Sequence, residues 1–165
     1  MKEINLTRGF VAIVDDEDFI ELSKHKWLCD SNGYAARCID LDSKKRKFVR
    51  MHIFIMGKIE GLCIDHINGK KTDNRRCNLR HVTTGQNQFN QAACRGGSSQ
   101  YKGVVWHKVR KIWQAYIKIN RKQHYLGIYR NEADAAMAYN EAAINYFGEY
   151  ARLNTLAEID GRRYG

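Results

Sequence analysis

Apolar residues fall in short runs along this chain, and the polar punctuation between the runs sets the elements. Phe10-Val11-Ala12-Ile13-Val14 is the length of one strand. Asp15-Asp16-Glu17-Asp18 follows, with Phe19, Ile20 and Leu22 at helical spacing, so a helix is predicted to about Lys24. Acids there suit a helix start, where they cap free amides and oppose the dipole; a metal site is the alternative, with no partner residues nearby. Trp27-Leu28 leads to the hairpin turn Asn32-Gly33, and Tyr34–Ile39 pairs with Lys47–His52. The basic stretch Ser43-Lys44-Lys45-Arg46-Lys47 joins those strands, either as a solvated loop or as a phosphate contact. Met51–Gly57 continues apolar and ends in a glycine, and His52 within it reads as structural rather than as a ligand. Leu62-Cys63-Ile64 is a strand running into Asp65-His66, with turns predicted at Asn68-Gly69 and Asp73-Asn74. Asn78–Thr83 is the returning strand. Thr84 is the expected cap of a helix ending near Ala93, with Asn87 in its first turn.

Past residue 95 the pattern changes. Gly96, Gly97, Ser98 and Ser99 mark a linker over 96–100. Tyr101–His107, Ile112–Ile119 and Lys122–Tyr129 are predicted strands. In the second, Trp113, Ala115, Ile117 and Ile119 share one face while Gln114, Tyr116 and Lys118 share the other. Asn131 is the expected cap of a helix whose early acids are Glu132 and Asp134. Ala135, Ala138, Ala142 and Tyr146, with Tyr139 and Ala143 nearby, form a small-residue stripe that packs on the sheet, and Gly148 ends the helix. The class is therefore α+β in two domains: 1–95, with a core at about 51–93, and 101–156, a three-stranded antiparallel sheet on one helix. A tail, 157–165, follows.

Composition narrows the partners. At 165 residues and 44% hydrophobic, the chain has material for globular cores. No run of about 18 apolar residues predicts a membrane span, and the first residues lack a signal-peptide core, so a cytoplasmic location (that of the host cell, for a phage-encoded protein) is expected. Five cysteines with no Cys-x-x-Cys spacing argue for reduced thiols and against zinc. Net charge is +10. From Ser98 to Arg130 eight basic residues meet no acidic one, whereas Met1–Ile20 and Asn131–Gly165 are both net acidic. Concentrated charge with interleaved aromatics marks a face for a polyanion such as double-stranded DNA, although an ordinary sheet with a solvated basic face has the same pattern.

The chemistry centres on Asp65 to Asn87. An imidazole takes a proton from water near neutral pH, and carboxylate and amide oxygens suit a hard divalent cation. Together they are the parts for phosphodiester hydrolysis. Asp65-His66-Ile67-Asn68-Gly69-Lys70, then Asp73-Asn74-Arg75-Arg76-Cys77-Asn78-Leu79-Arg80, then Val82-Thr83 and Asn87 resemble the HNH endonuclease family, its phage and homing branch in particular, over about Met51 to Gln91. The resemblance implies a ββα-metal fold, His66 as general base, Asp65 and Asn87 as ligands of one Mg2+ (Mn2+ as the substitute), and Asn78 holding the loop through backbone bonds. It also implies products with a 5′-phosphate and a 3′-hydroxyl. Many relatives carry His where this chain has Asn87.

The second domain resembles the APETALA2 or ethylene-response-factor DNA-binding domain. The match runs over about Ser99 to Leu156, through Tyr101-Lys102-Gly103-Val104, Trp113-Gln114-Ala115-Tyr116-Ile117, Tyr125-Leu126-Gly127, Glu132–Tyr139 and Tyr146–Asn154. That family lays its sheet in the major groove. Carried over by position, Lys102, Trp113 and Tyr125 are DNA contacts, although the family more often has Arg and Trp at the first and last of these. Charge and strand position add His107, Lys108, Arg110, Lys118 and Arg121. The whole reads as a homing-type, site-directed DNA endonuclease that nicks as a monomer on DNA. The rivals are a non-enzymatic regulator on an inactive scaffold, and a restriction-like or RNA-cleaving nuclease.

Overall fold

In the first strand Ile4 turns inward between exposed neighbours, and in the second Ala12 and Val14 turn inward between half-buried ones. This alternation lets β1 (Lys2–Asn5) and β2 (Val11–Val14) pair antiparallel with one face on the core. The computed structural model describes residues 1–42, 45–93 and 96–155. The chain divides into two compact units, Met1–Asn87 and Gln88–Gly165.

In the first unit β2 leads into α1 (Asp16–Ser23), which buries Leu22 and packs Phe19 on the core. The acids at its start do not cap it: Asp15, at the cap position, makes no side-chain bond to the helix. Asp15 instead accepts the backbone N–H of Arg76 at 2.7 Å, and the Arg76 guanidinium reaches Asp18 at 2.7 Å and Glu17 at 2.9 Å. Arg76 opens a single 3-10 turn (Arg76–Asn78), so the acids pin that turn to α1. A guanidinium fork engages two carboxylates at once, which fixes the acids on Arg76.

β3 (Leu28–Cys29), β4 (Ala35–Asp42) and β5 (Lys45–Arg50) form a second antiparallel sheet in that order. Lys45–Lys47 lie in β5 rather than in a loop; Ser43 and Lys44 fall outside the described residues. Met51 and His52 do not continue the strand, as the apolar run suggested. They open α2 (Met51–Met56), which buries Met51, His52 and Ile55, a spacing that fits a helix and not an alternating strand. β6 (Cys63–His66) pairs with β7 (Leu79–Val82), and the intervening loop docks on the β2 edge. There Ile13 donates to the Thr72 carbonyl at 2.9 Å and accepts from the Asn74 N–H at 2.8 Å. α3 (Thr84–Phe89) follows, ending four residues earlier than expected. Its cap is Thr83, not Thr84. The Thr83 hydroxyl accepts from the Gln86 N–H at 3.3 Å while the Gln86 side chain accepts from the Thr83 N–H at 2.9 Å.

The second unit is a three-stranded antiparallel sheet backed by one helix. The strands β8 (Val104–His107), β9 (Ile112–Ile119) and β10 (Lys122–Tyr129) lie in the order β10-β9-β8. α4 (Glu132–Phe147) buries Ala135, Ala136, Tyr139, Ala143 and Phe147. The i, i+4 row from Ala135 to Phe147 thus faces the core, while Ala138 and Ala142 are half-buried and Tyr146 is exposed. The seam is rotated by one residue from the alanine stripe, because two aromatic rings fill more of the gap than alanines do. Asn131 is not a side-chain cap either: its amide bonds Asp134 at 3.2 Å. Gly103 is required by space, since a Cβ there would lie 2.1 Å from Tyr139 and 2.4 Å from the Tyr116 carbonyl. Ser98 and Ser99, expected in a linker, bond the Trp106 N–H at 2.9 Å and Glu132 at 2.6 Å. Cys94, Arg95, Leu156 and the 157–165 tail fall outside the described residues. Among the described residues no helix is long and apolar enough to cross a membrane.

Candidate active site

β6 and β7 present Asp65 and His66 as neighbours on one strand, opposite Arg80 and Leu79. Both side chains are buried. His66 Nε2 lies 3.3 Å from Asn74 Oδ1. Asn74 is fully buried, and its other amide atom, Nδ2, donates to the Thr72 carbonyl at 3.2 Å. A carbonyl only accepts, so the Asn74 amide cannot be flipped without losing that bond. Oδ1 therefore faces His66, Nε2 carries the hydrogen, and the basic lone pair of the neutral ring sits on Nδ1. Burial holds the His66 pKa below its ordinary 6.5, against the opposing pull of Asn74, Asp65 and Asp73.

Asp65 Oδ2 accepts from Arg80 Nε at 3.1 Å and Nη2 at 3.0 Å. Asn78, buried in the 3-10 turn, closes the loop from inside. Its Oδ1 accepts from the Asn68 N–H at 3.0 Å and its Nδ2 donates to the Asp73 carbonyl at 2.8 Å. The Asp73 carboxylate takes Arg75 at 2.7 Å and the Asn68 amide at 2.8 Å; Arg75, burial notwithstanding, holds its pKa below the usual carboxylate range. Asn87 is the fourth residue of α3, half-buried, its N–H on the Thr83 carbonyl at 3.0 Å. Among the described residues no three His, Cys, Asp or Glu side chains gather in a metal cage. One carboxylate and one amide oxygen nevertheless suit Mg2+, which keeps several waters and takes further ligands from substrate phosphates.

His52 packs edge-on against His66 with centroids 5.0 Å apart, and the Tyr34 ring lies 5.2 Å from His52 and 5.8 Å from His66. Burial first, then His66 and Arg50, push the His52 pKa down to about 3, against a small upward pull from Asp30. Its Nδ1 is buried and, among the described residues, has no hydrogen-bond partner. The unfolded chain protonates His52 below pH 6.5 and the folded chain does not until about pH 3, so stability is full above 6.5 and falls as pH drops through that window. At pH 5 the loss from this group is about 2 kcal/mol. Thermal melts at pH 7 and pH 5 should show the drop, and His52→Leu should show a smaller one. Equal drops in the two proteins would mean that His52 is not the group responsible.

The DNA-contact candidates of the second unit separate into two sets. Tyr125 is exposed, pairs with Tyr116 across β9 and β10, and shares with Lys118 the face away from α4. Lys108 and Arg110 are exposed in the β8–β9 turn, where His107 Nδ1 accepts the Arg110 N–H at 3.2 Å. Arg121 is exposed in the β9–β10 turn. Two candidates lie elsewhere. Trp113 packs on the α4 side, against the cluster of Tyr101, Val104, Ala115, Ala135 and Ala136, with Trp106 4.9 Å away. The Lys102 ammonium donates to the Phe89 carbonyl at 2.6 Å.

Arg121 has φ 66°, after Asn120 at φ 49°, in a two-residue turn where Asn-Gly is the usual pair. An arginine there costs about 1 kcal/mol relative to glycine. Arg121→Gly should therefore raise the melting temperature. A variant no more stable than the parent would show that the turn carries no such cost.

Asn74 and Arg80 are the residues that reading the sequence did not assign. Asp73-Asn74 carries the same signal as any Asx turn, and Arg80 looks like one more surface cation.

Comparison with known proteins bears on this geometry. The HNH endonuclease family profile matches residues 50–89. An uncharacterized HNH endonuclease of Acanthamoeba polyphaga mimivirus is 33% identical over 156 residues, covering 90% of this chain and 77% of that protein. Protein 3.8 of Escherichia phage T7 is 32% identical over 65 residues, 39% of this chain and 54% of its own length. An AP2-like ethylene-responsive transcription factor of Arabidopsis thaliana is 40% identical over 70 residues, 41% of this chain and 19% of its own length. On the long match to the mimivirus protein, with the family profile centred on β6, β7 and α3, this chain belongs to the HNH endonuclease family and is a nuclease.

Proposed function

We propose that the protein is a homing-type, site-directed DNA endonuclease that nicks one strand through a ββα-metal site and finds its target with an APETALA2-type second unit. The observation that carries the catalytic part is the buried His66, held by Asn74 in the tautomer whose Nδ1 is basic, next to Asp65. His66 removes a proton from the attacking water at Nδ1. Asp65 and Asn87 hold the divalent ion, Mg2+ or Mn2+, and the chemistry it supplies is neutralisation of charge on the phosphoryl group and the leaving 3′ oxygen. Arg80 fixes the Asp65 carboxylate, and Asn78 keeps the loop in register beneath both. Inline attack leaves a 5′-phosphate and a 3′-hydroxyl.

Support for the second unit as a DNA reader comes from its acid-free stretch Ser98–Arg130 and from its likeness to the plant factors. In this reading Tyr125, Lys118, Arg121, Lys108 and Arg110 meet the duplex, and one catalytic site per chain acting as a monomer in a host cytoplasm produces nicks. The test is nicking of supercoiled DNA carrying the gene's own insertion region, with Mg2+, with Mn2+ and with EDTA. Metal-dependent open circles are expected. Tight binding with no cleavage under either metal would turn the protein into a DNA-binding regulator, and preferred cleavage of RNA would change the substrate.

A further inference from the structure

Beside His66 stands a built arrangement that the catalytic scheme does not use. Asp30 organises the 30–34 turn: its Oδ1 accepts from the backbone N–H groups of Asn32 at 2.8 Å and Tyr34 at 2.9 Å, and its Oδ2 accepts from Arg50 Nε at 3.2 Å. Burial raises the Asp30 pKa, but those bonds outweigh it and hold the group ionised below the usual carboxylate range. The turn presents the Tyr34 ring, and two cations from distant parts of the chain pack on it. Arg50, at the end of β5, lies 4.3 Å from the ring centroid, and Lys71, in the loop between β6 and β7, lies 4.6 Å from it. Lys71 also donates to the Asn32 carbonyl at 2.8 Å. The same ring lies 5.8 Å from His66.

Charge accounting gives the cluster its meaning. Asp65 is taken by Arg80 and Asp73 by Arg75, so Asp30 alone faces the two cations. Among the described residues, one positive charge beside His66 therefore has no counterion. Its effect is felt there: Lys71 depresses the His66 pKa and Arg50 depresses that of His52. Two cations on one aromatic ring repel each other, and they gain most when an anion arrives. The strand being cut must present a phosphate to His66. Its phosphates follow one another about every 3.4 Å along the helix axis, which carries the next one past Tyr34.

We propose that Arg50 and Lys71, mounted on Tyr34, form a clamp for the backbone phosphate adjacent to the scissile one. The proposal rests on the nuclease reading above. It assigns the first unit its own hold on DNA, independent of the second unit, and it places part of that hold (Tyr34 and Asp30) outside the region matched by the family profile. The aromatic ring orients the cations and makes no bond through its hydroxyl.

The experiment uses the full chain and a labelled DNA duplex in EDTA over a series of salt concentrations, with melting temperatures taken in parallel. Lys71→Gln is the main variant because Lys71 is exposed and its loss leaves the fold intact. It should flatten the slope of log affinity against log salt by about 0.9, the value for one phosphate contact. It should also weaken binding near 0.15 M salt by about three- to tenfold. Arg50→Gln should do the same, and Tyr34→Phe should match the parent. With Mg2+, Lys71→Gln should raise KM more than it lowers kcat. Parental slopes in both Lys71→Gln and a normally melting Arg50→Gln, while the parent protein nicks DNA, overturn the clamp alone. A parent that nicks no DNA with Mg2+ or Mn2+ overturns the nuclease reading, and the EDTA slopes still decide the clamp.

Discussion

Alanine in place of His66 is expected to slow strand cleavage by about a hundred- to ten-thousandfold, the range lost with a positioned general base. DNA affinity measured in EDTA should not change, since the buried ring is not a phosphate ligand in the proposed scheme. Single-turnover nicking with saturating enzyme reads the chemical step directly, and a rate within tenfold of the parent would remove His66 from the role of base. The pH profile supplies a second reading. Burial places the His66 pKa below 6.5, and the base works only when unprotonated, so at pH 6.5 the rate should exceed half its plateau. Asn74 governs that ring without touching substrate. Asn74→Leu leaves Nε2–H buried with no acceptor and frees the ring to change tautomer, and should lower kcat with little change in KM. Asn74→Asp keeps an acceptor and adds a negative charge, so its activity should partly return with the acid limb moved to higher pH. A purely structural Asn74 would leave the acid limb of that variant in place.

Asn78→Leu should destabilise the first unit by about 2–4 kcal/mol. Asn78 is buried and joins the two sides of the loop through the Asn68 N–H and the Asp73 carbonyl. Leucine removes both bonds and leaves each backbone group without its partner, at about 1–3 kcal/mol apiece before relaxation. Asn78→Asp is the informative companion. It has the same shape and still accepts from Asn68, but it turns a carboxylate oxygen toward the Asp73 carbonyl where the amide had donated. It should lie between the parent and Asn78→Leu at neutral pH and recover some stability when acidified, because a protonated carboxyl donates again. Urea titration of the three proteins checks the order. Equal stability of Asn78→Leu and parent would mean that water satisfies the loop and that the side chain is not its clamp.

Much of the fold was legible one residue at a time. The β4–β5 pair, the three strands of the second unit and α4 follow from runs of apolar residues broken by Asn-Gly, Gly and Asp, as does the mixed α and β character, whereas β1 and its pairing with β2 were not read from the sequence. The failures share a cause. Met51–Met56 is an apolar run whose period is ambiguous at six residues, and the burial of Met51, His52 and Ile55 decided for helix. The acids Asp15–Asp18 look like a cap, but their use was settled by Arg76, some sixty residues away. Trp113 is a different case: strand alternation already grouped it with Ala115 and Ile117, and it lies on that face.

The candidate site divides in the same way. Asp65, His66, Asn78 and Asn87 became candidates from their order along the chain and from the resemblance to the HNH family. The order also determined that charge concentrates in Ser98–Arg130 and that two units follow one another along the chain. Only the tertiary structure decided which nitrogen of His66 is basic, that Arg80 shares Asp65, and that Tyr34, Arg50 and Lys71 meet beside the histidine. Those are facts about groups up to 37 residues apart brought within hydrogen-bond or stacking distance. Local propensity acts over a few residues and carries no information at that range. Packing of the β6–β7 loop against β2 and the 30–34 turn supplies it.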